Sequence, residues 1–171
     1  MESAIPTIVD GEVRRLDPRY VELQKRVGWI TTGVLGALCG IGLPISMFIV
    51  RPTLLGFVLA LTGVVAVLGL LAWWMQRWPA LEYARASYRV DQAGLEIRRG
   101  VYWRQVINVP RSRVQHTDVS QGPFERQYGL GTLAIHTAGT EHARVELPGL
   151  PHEVALAIRD HLLPRNLIDA I

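Results

Sequence analysis

Charge is missing from two long stretches of this chain. None occurs from Val27 to Val50 and none from Pro52 to Gln76, with Arg51 alone between the two runs. As a helix, a run of 24 residues reaches about 36 Å, against roughly 30 Å of hydrocarbon in a bilayer. A cleaved signal peptide is disfavoured by length, since its apolar part spans about 7–15 residues and ends at a small-x-small site. Here the first run leads through FIVRPT directly into the second. The pattern predicts two transmembrane helices, 27–50 and 53–76, joined by a tight turn at Arg51-Pro52. The same absence argues against a pump or transporter, whose proton and ion paths are built on intramembrane charges. What remains is an anchor.

Cysteine is nearly absent too. Cys39 stands alone inside the first run, so there is no disulfide framework and no thiolate metal site, only a small packing residue. The five histidines, His116, His136, His142, His152 and His161, include no i, i+4 pair. His136 and His142 flank an expected turn, but two ligands do not make a metal site. No cofactor is implied. Nor is there a basic block: residues 1–26 carry five basic and five acidic side chains, and residues 77–171 carry twelve Arg against ten acids. Nucleic-acid binding therefore has no electrostatic footprint.

What is present orients the anchor. Arg14, Arg15, Arg19, Lys25 and Arg26 precede the first run, and Arg77, Arg85 and Arg89 follow the second. Basic residues collect on the cytoplasmic side, so both termini are expected there, in a multi-pass protein of the cell membrane. Trp29 at one helix end and Trp73, Trp74 and Trp78 at the other would share one interface, where amphipathic indoles sit. Gly36 and Gly40 form a GxxxG, and Gly56 and Ala60 repeat the spacing. Such small residues allow close helix packing, either within the hairpin or between two chains. Pro44 removes one helical hydrogen bond and is expected to kink the first helix. Residues 1–26 form a cytoplasmic segment in which DPRYVELQKR is either a short amphipathic helix or a tether.

Beyond WPALEY the pattern changes to short alternating segments divided by turn residues, the mark of an antiparallel sheet. ASYRV, LEIRRG, VYWRQVINV, RVQHTDVS, GTLAIHTAG and ARVELPG read as strands. PHEVALAIRDHLL reads as a helix with Val154, Ala155, Ile158 and Leu162 on one face. The plan for residues 82–165 is five to seven strands closed by one C-terminal helix.

YRVDQAGLEIRRG, then INVPRSRVQHTDVSQGPFERQYGLGTLAIHTAG and ELPGL, all behind a two-helix hairpin, resemble the membrane-anchored bacterial PH-domain family (YdbS-like). Within Pro110–Gly139 the resemblance rests on Gln115, Gln121-Gly122-Pro123, Gly129, Thr132-Leu133 and Ala138-Gly139. It implies a mainly-β PH-like barrel with a C-terminal capping helix. It also implies a non-enzymatic protein, often found beside a longer relative with several such domains.

The densest polar stretch, Val114–Gly139, fits that fold better than an active site. On a regular strand Val114, His116 and Asp118 share one face. A Ser112–His116–Asp118 relay would need hydrogen bonds along the chain, yet even residues two apart on a strand are about 6.6–6.8 Å from each other, too far for a direct relay. Gly129-Leu130-Gly131 precedes a strand, not a helix, so it is no phosphate loop. Pro123, Glu125 and Arg126 either tie a loop to the sheet or form a partner-docking edge. The turn Asp91-Gln92-Ala93-Gly94 carries an acid and no Lys, which disfavours specific inositol-phosphate recognition. Arg77, Arg85, Arg98 and Arg99 remain candidates for looser contact with anionic headgroups. Two functions follow: an anchored module assembling with itself or a related multi-PH-domain membrane protein, or a sensor of anionic lipid. Salt separates them, because headgroup contact is screened and an apolar interface is not.

Overall fold

The computed structural model describes residues 8–50, 52–138 and 144–162. Arg51 with its expected turn, His142, and the end of the 82–165 segment lie outside the described residues. The chain divides into two units, residues 24–80 and residues 1–23 with 81–171.

The first unit is built from helices α1 (Arg19–Val50) and α2 (Leu54–Arg85). Both are long and apolar enough to cross a membrane. They lie antiparallel: Gln76 Nε2 donates to Lys25 O at 3.2 Å, and Thr32 Oγ1 lies 3.9 Å from Met75 Sδ. Both helices run past the charge-free stretches. Asp17 starts α1 early, its Oδ1 accepting from Arg19 N at 2.8 Å just after Pro18, a strong helix-opening pair. DPRYVELQKR is thus helical from Arg19 onward and continuous with the span. At the other end, α2 passes through Pro79 to Arg85, since the ALEYAR sequence is rich in helix formers.

The second unit holds two antiparallel sheets. The first contains β1 (Val13–Arg15), β2 (Ser87–Val90), β3 (Gly94–Arg99) and β4 (Gln105–Pro110), in that order. The second contains β5 (Val114–Ser120), β6 (Leu130–Thr137) and β7 (Arg144–Pro151). A short helix α3 (Pro123–Tyr128) links β5 to β6, and α4 (His152–Leu162) follows β7. Their common core takes Val90, Leu95, Ile97, Ile107 and Val109 from one sheet and Leu133, Ile135, Val145, Leu147 and Leu150 from the other. Ala155, Ile158 and Leu162 of α4 complete it, at the 3–4 spacing expected of a buried helical stripe. Each buried Val, Leu or Ile contributes about 1.5–3 kcal/mol. This is the mainly-β, helix-capped architecture that the sequence implies.

Three local features depart from the sequence reading. Residues 8–16, to which the sequence reading assigns no element, enter the domain: Val13 pairs with Arg89 and Arg15 with Ser87, while Ile8 and Leu16 join the core. Asp10 fastens this segment. Its carboxylate accepts from Glu12 N at 2.9 Å and meets Arg14 at 2.5 Å; both contacts, the backbone bond foremost, hold its pKa below the usual range. Second, the strand expected from Val101 begins only at Gln105. Gly100 has φ +115°, and a Cβ there would lie 1.8 Å from Trp103 O, so residues 100–104 form a tight hairpin tip. Third, a bulge between Val114 and His116 breaks the expected alternation on β5. Val114 and Thr117 face inward, while His116 and Asp118 face solvent.

Gly149 sets the join between β7 and the start of α1. Its φ is +75°, and an added Cβ would lie 2.6 Å from Tyr20 Cγ; its carbonyl accepts from Asp17 N at 2.9 Å. Gly149→Ala should therefore lose about 2–4 kcal/mol from strain and overlap together, read as a lowered thermal-unfolding midpoint in mild detergent. The loss should shrink in a Tyr20→Ala background. Equal losses in both backgrounds would rule out the overlap.

Candidate functional site

The Gln121–Thr132 segment is held by its own side chains. Glu125 accepts from Gly122 N at 2.7 Å through Oε2 and from the Thr132 hydroxyl at 2.8 Å through Oε1. Gln121 Nε2 donates to Leu130 O at 2.7 Å. Gly129, at φ +66°, ends α3 in the left-handed conformation. At Gly131 a Cβ would lie 3.2 Å from His152 Nδ1 and 3.3 Å from Ser120 O. The carboxylate of Glu125 thus ties the loop to the sheet. Pro123 and Arg126 remain exposed beside it, together with Phe124.

On the outer face of the second sheet, His116 and His136 stand opposite each other. His116 Nε2 lies 2.8 Å from Asp118 Oδ1, and His136 Nε2 lies 3.6 Å from Asp118 Oδ2. The expectation that His116 and Asp118 could not meet is therefore wrong. Backbone spacing sets the Cα separation, but side chains lean along the strand and close the gap. Ser112 sits apart from β5, in the 3₁₀ turn Arg111–Arg113. The pair is exposed, and such pairs contribute little.

The four candidate headgroup arginines divide. Arg85, Arg98 and Arg99 line one cleft of about 390 Å³ together with Arg104, whose charge follows the Asp91–Gly94 turn in the sequence but which is not among the candidates. Arg98 pairs with Glu96, and Arg99 Nη1 donates to Glu146 O at 3.4 Å. Arg77 belongs to the helical unit. Beside the cleft stand the exposed Tyr102 and Trp103 of the hairpin tip. The strand pattern concealed them, because their exposure depends on the turn at Gly100.

A second opening borders β4. This strand ends its sheet, and among the described residues no strand pairs with its outer side. Ile107 and Val109 point into the core, while Val106 and Asn108 are exposed. A groove of about 180 Å³ runs along β4 to Arg113, Thr137, Ala138 and Val145.

In the helical unit, a Cβ on Gly36 would lie 3.9 Å from Leu68 Cδ1, and one on Gly28 would lie 3.0 Å from that of Met75. Gly40 and Ala60 are exposed, and Gly56 meets only Thr53 and Pro52 of its own helix start. Of the three glycines among the four expected packing residues, Gly36 alone has a side chain of the opposite helix within reach of an added Cβ; the tightest such contact at a described glycine of the two helices is at Gly28, outside the GxxxG. Large partners, Met75 and Leu68, fill the space where backbones would otherwise meet. Trp74 and Trp78 stack, with ring centroids 4.8 Å apart. Trp29 and Trp73 are exposed toward the same end of the antiparallel pair.

Two apolar helices ahead of a two-sheet domain closed by a C-terminal helix define a membrane protein with a PH-like domain. Residues 30–166 match the model of the bacterial PH domain family, and the chain belongs to that family. Among its relatives is the transmembrane protein YdbS of Bacillus subtilis (strain 168), 30% identical over 134 residues. The match covers 78% of this chain and 64% of that protein. No solved structure matches the chain.

Removing the Glu125 carboxylate leaves Gly122 N–H and the Thr132 hydroxyl without their acceptor. Glu125→Ala should cost about 1–3 kcal/mol of stability in thermal unfolding, with Glu125→Gln retaining part of it. An unchanged midpoint for Glu125→Ala would mean that water replaces the carboxylate without loss.

Proposed function

We propose that the protein is a membrane-anchored, non-catalytic PH-like module that assembles with a second copy or a related membrane protein through the outer edge of β4. The observation that carries this reading is the open edge itself: β4 ends its sheet, Val106 is 58% exposed, and a groove runs alongside. An unpaired strand offers backbone donors and acceptors to an added strand, and its outward side chains supply specificity.

The anchor is a two-span hairpin with both ends on the cytoplasmic side. The basic residues flanking it support that orientation, since they gather before α1 and after α2. The pairing of β1 with β2 supports it as well, because those strands flank the hairpin and lie in one sheet. Pro123 and Arg126 form a second exposed edge for docking. The exposed Gly40 and Ala60 leave room for a second hairpin.

A second reading, contact with anionic headgroups, rests on the cleft of Arg85, Arg98, Arg99 and Arg104. Guanidinium groups match phosphate oxygens through paired hydrogen bonds.

Photo-crosslinking from residue 106 or 108 in native membranes should give one discrete adduct that survives high salt. Val106→Lys should weaken that association by about 1–2 kcal/mol, roughly tenfold, the scale of one good interface residue. A lone chain that yields no adduct from either position would reject assembly through this edge.

A further inference from the structure

The hairpin between β3 and β4 combines two features that belong together at a bilayer surface. Trp103 is 86% exposed and Tyr102 is 77% exposed, the largest such surfaces outside the helical unit. Immediately beside them, Arg85, Arg98, Arg99 and Arg104 line one cleft. We propose that this tip is a membrane-inserting element, with Trp103 seated in the headgroup layer of an anionic bilayer and the arginines held against its phosphates.

Indole is suited to that layer, having an apolar body and one N–H to keep wet. Guanidinium groups on either side complement anionic phosphates, and an acidic or neutral rim would not. The tip is also preorganised. Gly100, at φ +115°, places its backbone so close to Trp103 O that no other residue fits, so the indole projects from a fixed turn. Arg85, which lines the cleft, is also the last residue of α2. The acidic turn at Asp91, whose carboxylate is bonded to Ala93 N and Gly94 N, is not part of this element. The inference rests on the arginine-cleft reading above and adds to it a depth of insertion and the residue that inserts.

The test uses the full chain, with Cys39→Ala, a spin label at Val101→Cys, and nanodiscs of phosphatidylcholine alone or with phosphatidylglycerol. In the anionic discs the label should be more accessible to oxygen than to a water-soluble nickel chelate, and high salt should reverse the order. Trp103→Ser should abolish the difference while Trp103→Phe retains it. Thermal unfolding should be unaltered in both, as befits an exposed residue. Arg98→Gln and Arg104→Gln should each lower the inserted fraction relative to the free one by about fivefold. If the arginine variants alter the label and Trp103→Ser does not, insertion is overturned while headgroup contact stands. A label equally wet in both lipids, with no response to any variant, overturns both. Shielding from both probes whatever the lipid would mean that a protein covers the tip, which also overturns the proposal.

Discussion

Val13 lies opposite Arg89, and Arg15 opposite Ser87, so the strands on either side of the membrane hairpin belong to one sheet. That pairing constrains everything between them. A chain that leaves a sheet, forms two apolar helices and returns to the same sheet must bring the start of α1 and the end of α2 back together. Three paired residues are a weak strand by themselves. They are supported because Ile8 and Leu16 on either side are buried in the common core, and because Asp17 N donates to Gly149 O. Gly149 is the one residue type that allows Tyr20 so near the strand.

The domain closes by the same logic of shared burial. Neither sheet could bury its inner face alone, and α4 contributes the residues that finish the core. His161 on α4 reaches Asp91 O at 3.0 Å, tying the last helix to the first turn after the hairpin. The Gln121–Thr132 clip fixes the crossing from β5 to β6. Hydrogen bonds within it join Gln121 to Leu130 and Glu125 to Gly122 and Thr132, which spares these partly buried groups a desolvation penalty. A stretch so rich in His, Asp, Ser and Glu thus has a structural task in holding the β5–β6 crossing. Glu125 is committed to two donors, and the His116–Asp118 pair is exposed on a sheet face with Ser112 in a separate turn.

Legibility in the sequence followed the length of each signal. Two charge-free runs announce the hairpin without ambiguity, and the 3–4 spacing of Ala155, Ile158 and Leu162 announces α4. Short signals failed. Val13-Arg14-Arg15 shows no alternation that would mark a strand, because its status comes from a partner far along the chain. The bulge at Gln115 could not be read either, since one extra residue shifts the phase of β5 without leaving a compositional trace. The hairpin tip was hidden by its own residues: Val101, Tyr102 and Trp103 are strong strand formers, and only the positive φ of Gly100 turns them outward. Gly28 was missed as the tight helix contact because its partner, Met75, is large and belongs to no small-residue motif.

Anchoring changes what the exposed features must supply. A module held on a membrane meets its neighbours and its own lipid at a high effective concentration, so each contact can be weak and still be occupied. A short edge strand ended by Pro110 would be a poor site for a free protein in dilute solution, and one indole with a few arginines would bind a vesicle only loosely. Attached to two spanning helices, the same edge and the same tip need contribute only the difference between docked and undocked forms. In the proposed headgroup contact, about 1 kcal/mol from each arginine near an anionic surface would then be enough to bias the domain. An edge capped by proline also limits runaway strand addition, which matters when copies are concentrated on one surface. The modest size of these features is therefore what a tethered module requires, and the anchor is the part of the chain that makes them sufficient.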